Sequence, residues 1–269
     1  MRIGIIGCGA IGSVLFKAFE DKVVDDELVA LYDIYPDKCR ELVEKSSNVK
    51  PVICSEFECL IRSKPDLVVE AASQEAVREY VPKLVSNGIS VVVLSVGALI
   101  DEELRKTITE KCRETGARVY VPSGAIAGVD AITALSLEGI DRVILITRKN
   151  PRSISRESLE KLGFNQEIDR ETIIFEGSAE EAVRRLPFNI NVAATLKLAS
   201  NAEVLVRFIA DPSVDKNIHE IILESKTTKI HMVIENIPHP QNPKTSYLAA
   251  LSAVKLLKKI TSEALIVGT

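Results

Sequence analysis

The sequence predicts an α/β fold in two parts: a parallel sheet covered on both faces in the first half, and an α+β domain with a mainly antiparallel sheet in the second. Three observations carry this. Short apolar runs and amphipathic helical stretches alternate through the first 122 residues, which implies parallel strands connected by helices. At Gly124 the rhythm breaks, and near the end Val204, Val206 and Phe208 alternate against Leu205, Arg207 and Ile209. Two further runs, Ile218–Leu223 and Lys229–Ile237, complete an antiparallel set. The expected domains are 1–122, 123–241 and a C-terminal helix within 242–269 that returns to the first domain.

The chain opens on Met1-Arg2-Ile3-Gly4-Ile5-Ile6-Gly7-Cys8-Gly9-Ala10-Ile11-Gly12. Ile3, Ile5 and Ile6 suit a strand buried on both faces. Gly7 permits a tight turn, Gly9 lets a pyrophosphate approach the backbone, and Gly12 allows the next helix to lie close on its strand. Ala10 and Ile11 start that helix, whose free amides and positive end face the phosphates. The next apolar run, Leu28–Tyr32, ends at Asp33, about 20 residues past the loop, where an acid grips the adenosine ribose hydroxyls. This is the Rossmann pattern, and Asp33 repels a 2′-phosphate, so NAD is favoured; Lys38 and Arg40 leave NADP open.

Further elements follow in order. A helix starts at Pro36, a short strand lies at Val52-Ile53, and Ser55 with Glu58 makes a capping box. Leu67–Glu70 is a buried strand, the helix after it is closed by Asn87-Gly88, and Ser90–Leu94 is the next strand. A helix from Asp101 to Thr115 stops at Gly116, and Arg118–Val121 is the sixth strand. Ligands collect beyond the carboxyl ends of such strands, which places Ala71, Ala72 and Ser95 at the cofactor. In the second half Val143–Thr147 and Ile173–Phe175 are strands, Ser178 with Glu181 caps a helix, and Asn191–Ala199 is another helix with Asn191 as its cap.

Composition narrows the function classes. The 38 acids and 34 bases are scattered, and there is no Trp and only 4% aromatic content, so no stripe for nucleic acid exists. No run of about 18 apolar residues occurs, so no membrane span is expected. The five cysteines, odd in number and without a CxxC pair, read as thiols of a reducing cytoplasm and not as metal ligands. A first strand beginning at Met1 is expected to leave no room for a signal peptide.

A bound nicotinamide implies hydride transfer, so the second domain must supply a substrate pocket and a proton-transfer group. His219 opens a strand after a loop holding Asp211, Asp215 and Asn217, which is where a side chain reaches a cleft. His231 reads as a satisfied mid-strand residue and His239 as solvated between two prolines. In Pro187-Phe188-Asn189-Ile190-Asn191 the amide of Asn189 is free to meet cofactor or substrate. In Asn242-Pro243-Lys244-Thr245-Ser246, Asn242 and Pro243 read as a helix start, and Lys244, Thr245 and Ser246 make a site for a substrate carboxylate.

These stretches together resemble the L-aspartate dehydrogenase family. The likeness runs through Gly7–Gly12, Glu70-Ala71-Ala72-Ser73, Leu94–Leu99, Pro122–Gly128, Phe188–Asn191, Asn217-Ile218-His219-Glu220 and Asn242–Tyr247. It implies NAD(P)-dependent, reversible deamination of L-aspartate to oxaloacetate through iminoaspartate, a homodimer, and a role in supplying NAD synthesis. It also implies that His219 is catalytic and that Ala125 and Asn189 contact the cofactor; it assigns nothing to His231 or His239. An imidazole titrating near about 6.5 would then carry the proton. The rival expectations are a dihydrodipicolinate-reductase-like or homoserine-dehydrogenase-like reductase, and a non-catalytic NAD-binding regulator.

Overall fold

The computed structural model describes residues 1–186, 190–239 and 242–268, with Pro238, His239 and residues 242–245 described by backbone alone. The chain divides into two units, one formed by Met1–Pro122 with Ala250–Val267 and the other by Ser123–Ala249 with the last two residues.

In the first unit the alternation read from sequence is realised as β1 (Arg2–Ile6), α1 (Ala10–Glu20), β2 (Glu27–Tyr32), α2 (Pro36–Glu44), β3 (Val52–Cys54), α3 (Phe57–Arg62), β4 (Leu67–Glu70), α4 (Gln74–Ser86), β5 (Ser90–Val93), α5 (Glu102–Thr115) and β6 (Val119–Tyr120). A 3-10 turn over Val96–Ile100 separates β5 from α5. All neighbouring strands are parallel, in the order β3-β2-β1-β4-β5-β6. Strands are added outward from β1 on one side and then on the other, so the order reverses between β1 and β4. Ile3, Ile5, Leu67, Val69 and Val92 are fully buried, as strands covered on both faces must be. The C-terminal helix contributes Ala253, Val254 and Leu257 to the same core.

Helix ends follow their local chemistry. Asp101 caps α5 by accepting from Leu104 N at 3.1 Å, and Gly116 closes it in the left-handed region at φ 80°. Pro82 lies inside α4, which continues through it. The capping box expected from Ser55 and Glu58 does not form; α3 begins at Phe57 after Glu56. Tertiary packing decides this start, because the Phe57 ring stacks on Tyr80 at 4.4 Å and meets Tyr32 edge-on.

The second unit contains α6 (Val129–Leu135), β7 (Ile140–Lys149), α7 (Arg156–Lys161), β8 (Thr172–Ser178), α8 (Ala179–Arg185), α9 (Asn191–Ser200), β9 (Val204–Ala210), β10 (Asn217–Ser225), β11 (Lys229–Asn236), β12 (Pro238–His239) and β13 (Asn242–Ser246). The final helix, α10 (Tyr247–Thr261), leaves it and joins the first unit from Ala250 onward. Its five-stranded sheet has the order β11-β10-β7-β9-β8 and is antiparallel except between β7 and β9. The three late strands are therefore not consecutive neighbours: β7 lies between β9 and β10. Period-two alternation reports which face is buried and not which strand lies alongside.

Ser178 and Glu181 form the expected capping box on α8, with both reciprocal hydrogen bonds present. Asn191 is not a cap; Ile190 holds that place and Asn191 is already helical. Asn242 and Pro243 lie in strand β13, paired with β12, and the helix starts only at Tyr247. Backbone pairing here takes precedence over the Asn-Pro helix signal, since an edge strand tolerates proline.

The cysteines depart from expectation too. Cys8 is bonded to Cys39 and Cys54 to Cys59, leaving only Cys112 as a thiol. The first pair is 31 residues apart and meets because β2 returns beside β1. Cysteine usage thus carries no argument for a reducing compartment. Among the described residues no helix is long and apolar enough to cross a membrane, and no cluster of metal ligands occurs.

The close approach of α1 to β1 depends on Gly12, where an added Cβ would lie 2.0 Å from Gly7 O. Gly12→Ala is expected to cost at least about 1–3 kcal/mol, read as a lower thermal midpoint, because backbone cannot yield as a flexible side chain can. Gly9→Ala projects into open space and is expected to stay within about 1 kcal/mol of wild type.

Candidate functional site

The glycine loop lies where the strand order reverses, the place at which open parallel sheets bind ligands. Gly7 takes φ 97°, and a Cβ on it would stand 2.6 Å from Ala71 O, so the turn closes against the end of β4 only with glycine there. Gly7 N donates to Tyr32 O at 2.8 Å and Ala71 N to Ile6 O at 2.8 Å, which locks the ends of β1, β2 and β4 together. Gly9 caps α1 with no side-chain hydrogen bond, so the first-turn amides from Ala10, Ile11 and Gly12 keep the orientation that receives an anion.

Asp33 is 8% exposed and accepts Cys8 N at 2.8 Å on one oxygen and Tyr35 N at 2.9 Å on the other. Each oxygen keeps further lone pairs, so the carboxylate has capacity for hydroxyl donors as well. Gly7, Gly9, Tyr32, Asp33, Ala71 and Ala72 line a cavity of about 370 Å³, together with Lys38. The open space at Gly9, the helix amides and the acid at the end of β2 fit a dinucleotide.

A residue without a role in the sequence reading organises this rim. Glu70 is fully buried and its carboxylate accepts from Ala72 N at 2.8 Å, Ser73 N at 3.0 Å, Ser95 N at 3.0 Å and Ser95 Oγ at 2.9 Å. It ties the loops after β4 and β5 to one point. Burial pushes its pKa up, and those four hydrogen bonds oppose the shift. Ser95 gives both its N–H and its O–H to Glu70, which fixes its place at the end of β5. The legible signal was an acid closing the apolar run Leu67-Val-Val-Glu70.

In the second unit the buried face of the sheet is aliphatic over two rows. One row holds Ile230, Leu223, Val143 and Val204, and the next Met232, Ile221, Leu145 and Val206. Then it turns polar. The third row contains His219 beside Thr147, and the fourth Asn236, Asn217 and Lys149. The register Ile218↔Arg148 sets Asn217 alongside Lys149, on the face that His219 and Thr147 share. Exposure is 2% at His219, Thr147, Lys149 and Asn217 and 6% at Asn236.

Thr147 Oγ1 is 3.1 Å from His219 Nδ1, which fixes the ring and leaves Nε2 as the other working nitrogen. Burial, and then the charge of Lys149, push the imidazole down to about 3, so the expected value near 6.5 does not hold in the folded chain. Burial likewise pushes Lys149 down to about 7. Asn236 Nδ2 donates to Ala125 O at 2.9 Å and so holds the Ser123–Gly128 loop to the polar end of the sheet. Asn217 Nδ2 is buried without an acceptor.

One expected residue separates from this group. His231 is exposed and its Nε2 meets Glu220 at 2.8 Å, so it belongs to the solvent face. Ser246 is buried at the end of β13. Asn189 lies outside the described residues, as do the side chains of Lys244, Thr245 and His239.

Residues 130–260 match the family model described as aspartate dehydrogenase, C-terminal, and residues 7–122 match that of the homoserine dehydrogenase NAD-binding domain. The first half thus matches an NAD-binding domain, and the second matches the aspartate dehydrogenase model. The chain is 46% identical to L-aspartate dehydrogenase of Methanosarcina mazei over 97% of both chains, and 40% identical to that of Methanocaldococcus jannaschii over the full length of both. The solved aspartate dehydrogenase of Thermotoga maritima is similar with a TM-score of 0.77 at 30% identity, covering 100% of this chain and 99% of that one. An amine dehydrogenase of Mycobacterium smegmatis, at 18% identity and a TM-score of 0.60 over 98% and 93% of the two chains, shares the fold. Whole-length relatives and the model of the second half name the same group, and the chain belongs to the L-aspartate dehydrogenase family.

Proposed function

We propose that this chain catalyses NAD(P)-linked oxidative deamination of L-aspartate, with His219 as the proton carrier. The observation that carries the reading is the buried imidazole held at Nδ1 by Thr147, among the few polar groups of an otherwise apolar sheet face. The dinucleotide is held by Gly7, Gly9, Ala10, Ile11, Gly12, Asp33, Ala71, Ala72 and Ser95, and supplies the hydride acceptor when bound. Ala125 and Asn189 complete its contacts on the strength of family likeness.

Hydride can leave the α-carbon only when the amine is neutral, so an ammonium proton must first be taken. With Nδ1–H donated to Thr147 Oγ1, His219 Nε2 has the lone pair to take it. The same nitrogen, once protonated, returns a proton as water adds to the imine and ammonia leaves. A buried imidazole starts neutral, so all of it is in the base form at neutral pH, and substrate charge must raise its proton affinity for the transfer. NAD is preferred because the Asp33 carboxylate meets a 2′-phosphate with like charge. In the same reading the chain is a cytoplasmic homodimer that supplies iminoaspartate to NAD synthesis, supported by resemblance alone.

His219→Ala is expected to lower kcat for aspartate by about 100- to 10,000-fold while leaving NAD affinity intact, measured by NADH formation and by ligand fluorescence. An unchanged rate removes the imidazole from the reaction, and no ammonia from aspartate removes the reading altogether. Asp33→Ser is expected to raise KM for NAD and lower that for NADP; an unaltered ratio would show that the acid does not select the cofactor.

The depressed imidazole also has a stability consequence. Its ordinary value is 6.5 and its folded value about 3, so between them the unfolded chain binds a proton that the folded chain does not. Stability is therefore expected to fall as pH drops from about 6.5 toward 3. Urea midpoints at pH 7 and pH 5 for wild type and His219→Gln test this, the variant showing the smaller loss.

A further inference from the structure

Two members of the polar end of the sheet have no part in the proton transfer above. Lys149 is a lysine 2% exposed on a face whose first two rows are hydrocarbon, and Asn217 beside it has an amide donor with no acceptor. Removing a charge from water costs several kcal/mol, and leaving a buried donor unfilled costs more again. Packing alone would place Val or Leu here, as it does at Val143 and Leu145 on the same strand. Lys149, Thr147, His219 and Asn217 gathered on one buried face, with the Asn217 amide N–H lacking an acceptor, describe a receptor for an anion.

We propose that Lys149 and Asn217 hold a carboxylate of the substrate on the buried sheet face, one residue row from His219. This rests on the reading of His219 as the proton carrier and names the groups that bring substrate to it. Lys149 provides charge, and Asn217 provides the directed N–H that is unfilled in the chain itself. The backbone keeps both in place: Lys149 O accepts Asp211 N at 2.8 Å, and Asn217 begins the strand that carries His219. The anion has a second effect. The charge of Lys149 is one of the two causes that hold the imidazole down, so a carboxylate seated on that lysine relieves it and strengthens Nε2 as a base when substrate is present. A substrate without a carboxylate in that place would leave the base weak.

The test uses the full chain with NAD and two variants, Lys149→Met and Asn217→Leu, assayed with aspartate and, for binding without turnover, by calorimetry with succinate as an unreactive dicarboxylate. Lys149→Met is expected to raise KM for aspartate and weaken succinate about ten- to a hundredfold, with KM for NAD unchanged. Asn217→Leu is expected to weaken both about tenfold while its thermal midpoint does not fall, because it removes a donor that has no partner in the folded chain. That second variant decides the matter if the first fails to fold. Unchanged succinate binding in both overturns the proposal, and so does a fall in kcat with KM unmoved in Lys149→Met, which would make the lysine a proton carrier. A weakened succinate site together with full activity in His219→Ala would keep the anchor and discard the imidazole reading.

Discussion

The cost of taking charge out of water governs both halves of this molecule. In the first, the buried carboxylates of Asp33 and Glu70 are met by backbone and hydroxyl donors, and meeting them draws loop ends to defined places. Asp33 ties the glycine loop to the turn after β2, and Glu70 ties the loops after β4 and β5. The rim of the glycine-loop cavity is shaped by how these two acids are satisfied. Apolar burial builds the sheet beneath, but it is non-directional and could not by itself set the positions of a few amides at strand ends.

The second half handles the same cost differently. Its polar groups meet one another across strands at one end of a sheet, and the result is satisfied only in part: Thr147 serves His219 and Asn236 serves Ala125, while the Asn217 amide is open. Incomplete satisfaction inside a folded domain is expensive. The aliphatic rows of the same face, from Val143 to Leu223, pack against α6 and α9 and make a firm platform for the polar end.

The alternation of strands and helices, the glycine loop and the acid ending β2 were legible because each is a local pattern with one physical outcome. The buried set of β10, with His219, Ile221 and Leu223 on one face, was legible for the same reason. Local signals failed where a distant partner competed with them. Phe57 stacking on Tyr80 shifted the start of α3, and pairing with β12 turned the Asn242-Pro243 helix signal into a strand. The two disulfides were invisible because spacing in sequence says nothing about which thiols meet in space.

Sequence alone determined the fold class and the glycine loop, since these follow from residue type and short-range period, whereas the choice of His219 among three histidines came from family resemblance. Only tertiary structure decided that Lys149 and Asn217 stand beside that histidine, that Glu70 organises the cofactor rim, and that the imidazole is held far below its ordinary titration. The reason is that burial and charge act through space, between strands 70 positions apart in the chain, such as those bearing Thr147 and His219, which lie 72 residues apart. A residue's type fixes what it can donate or accept, and the neighbours that the fold brings up fix whether it does.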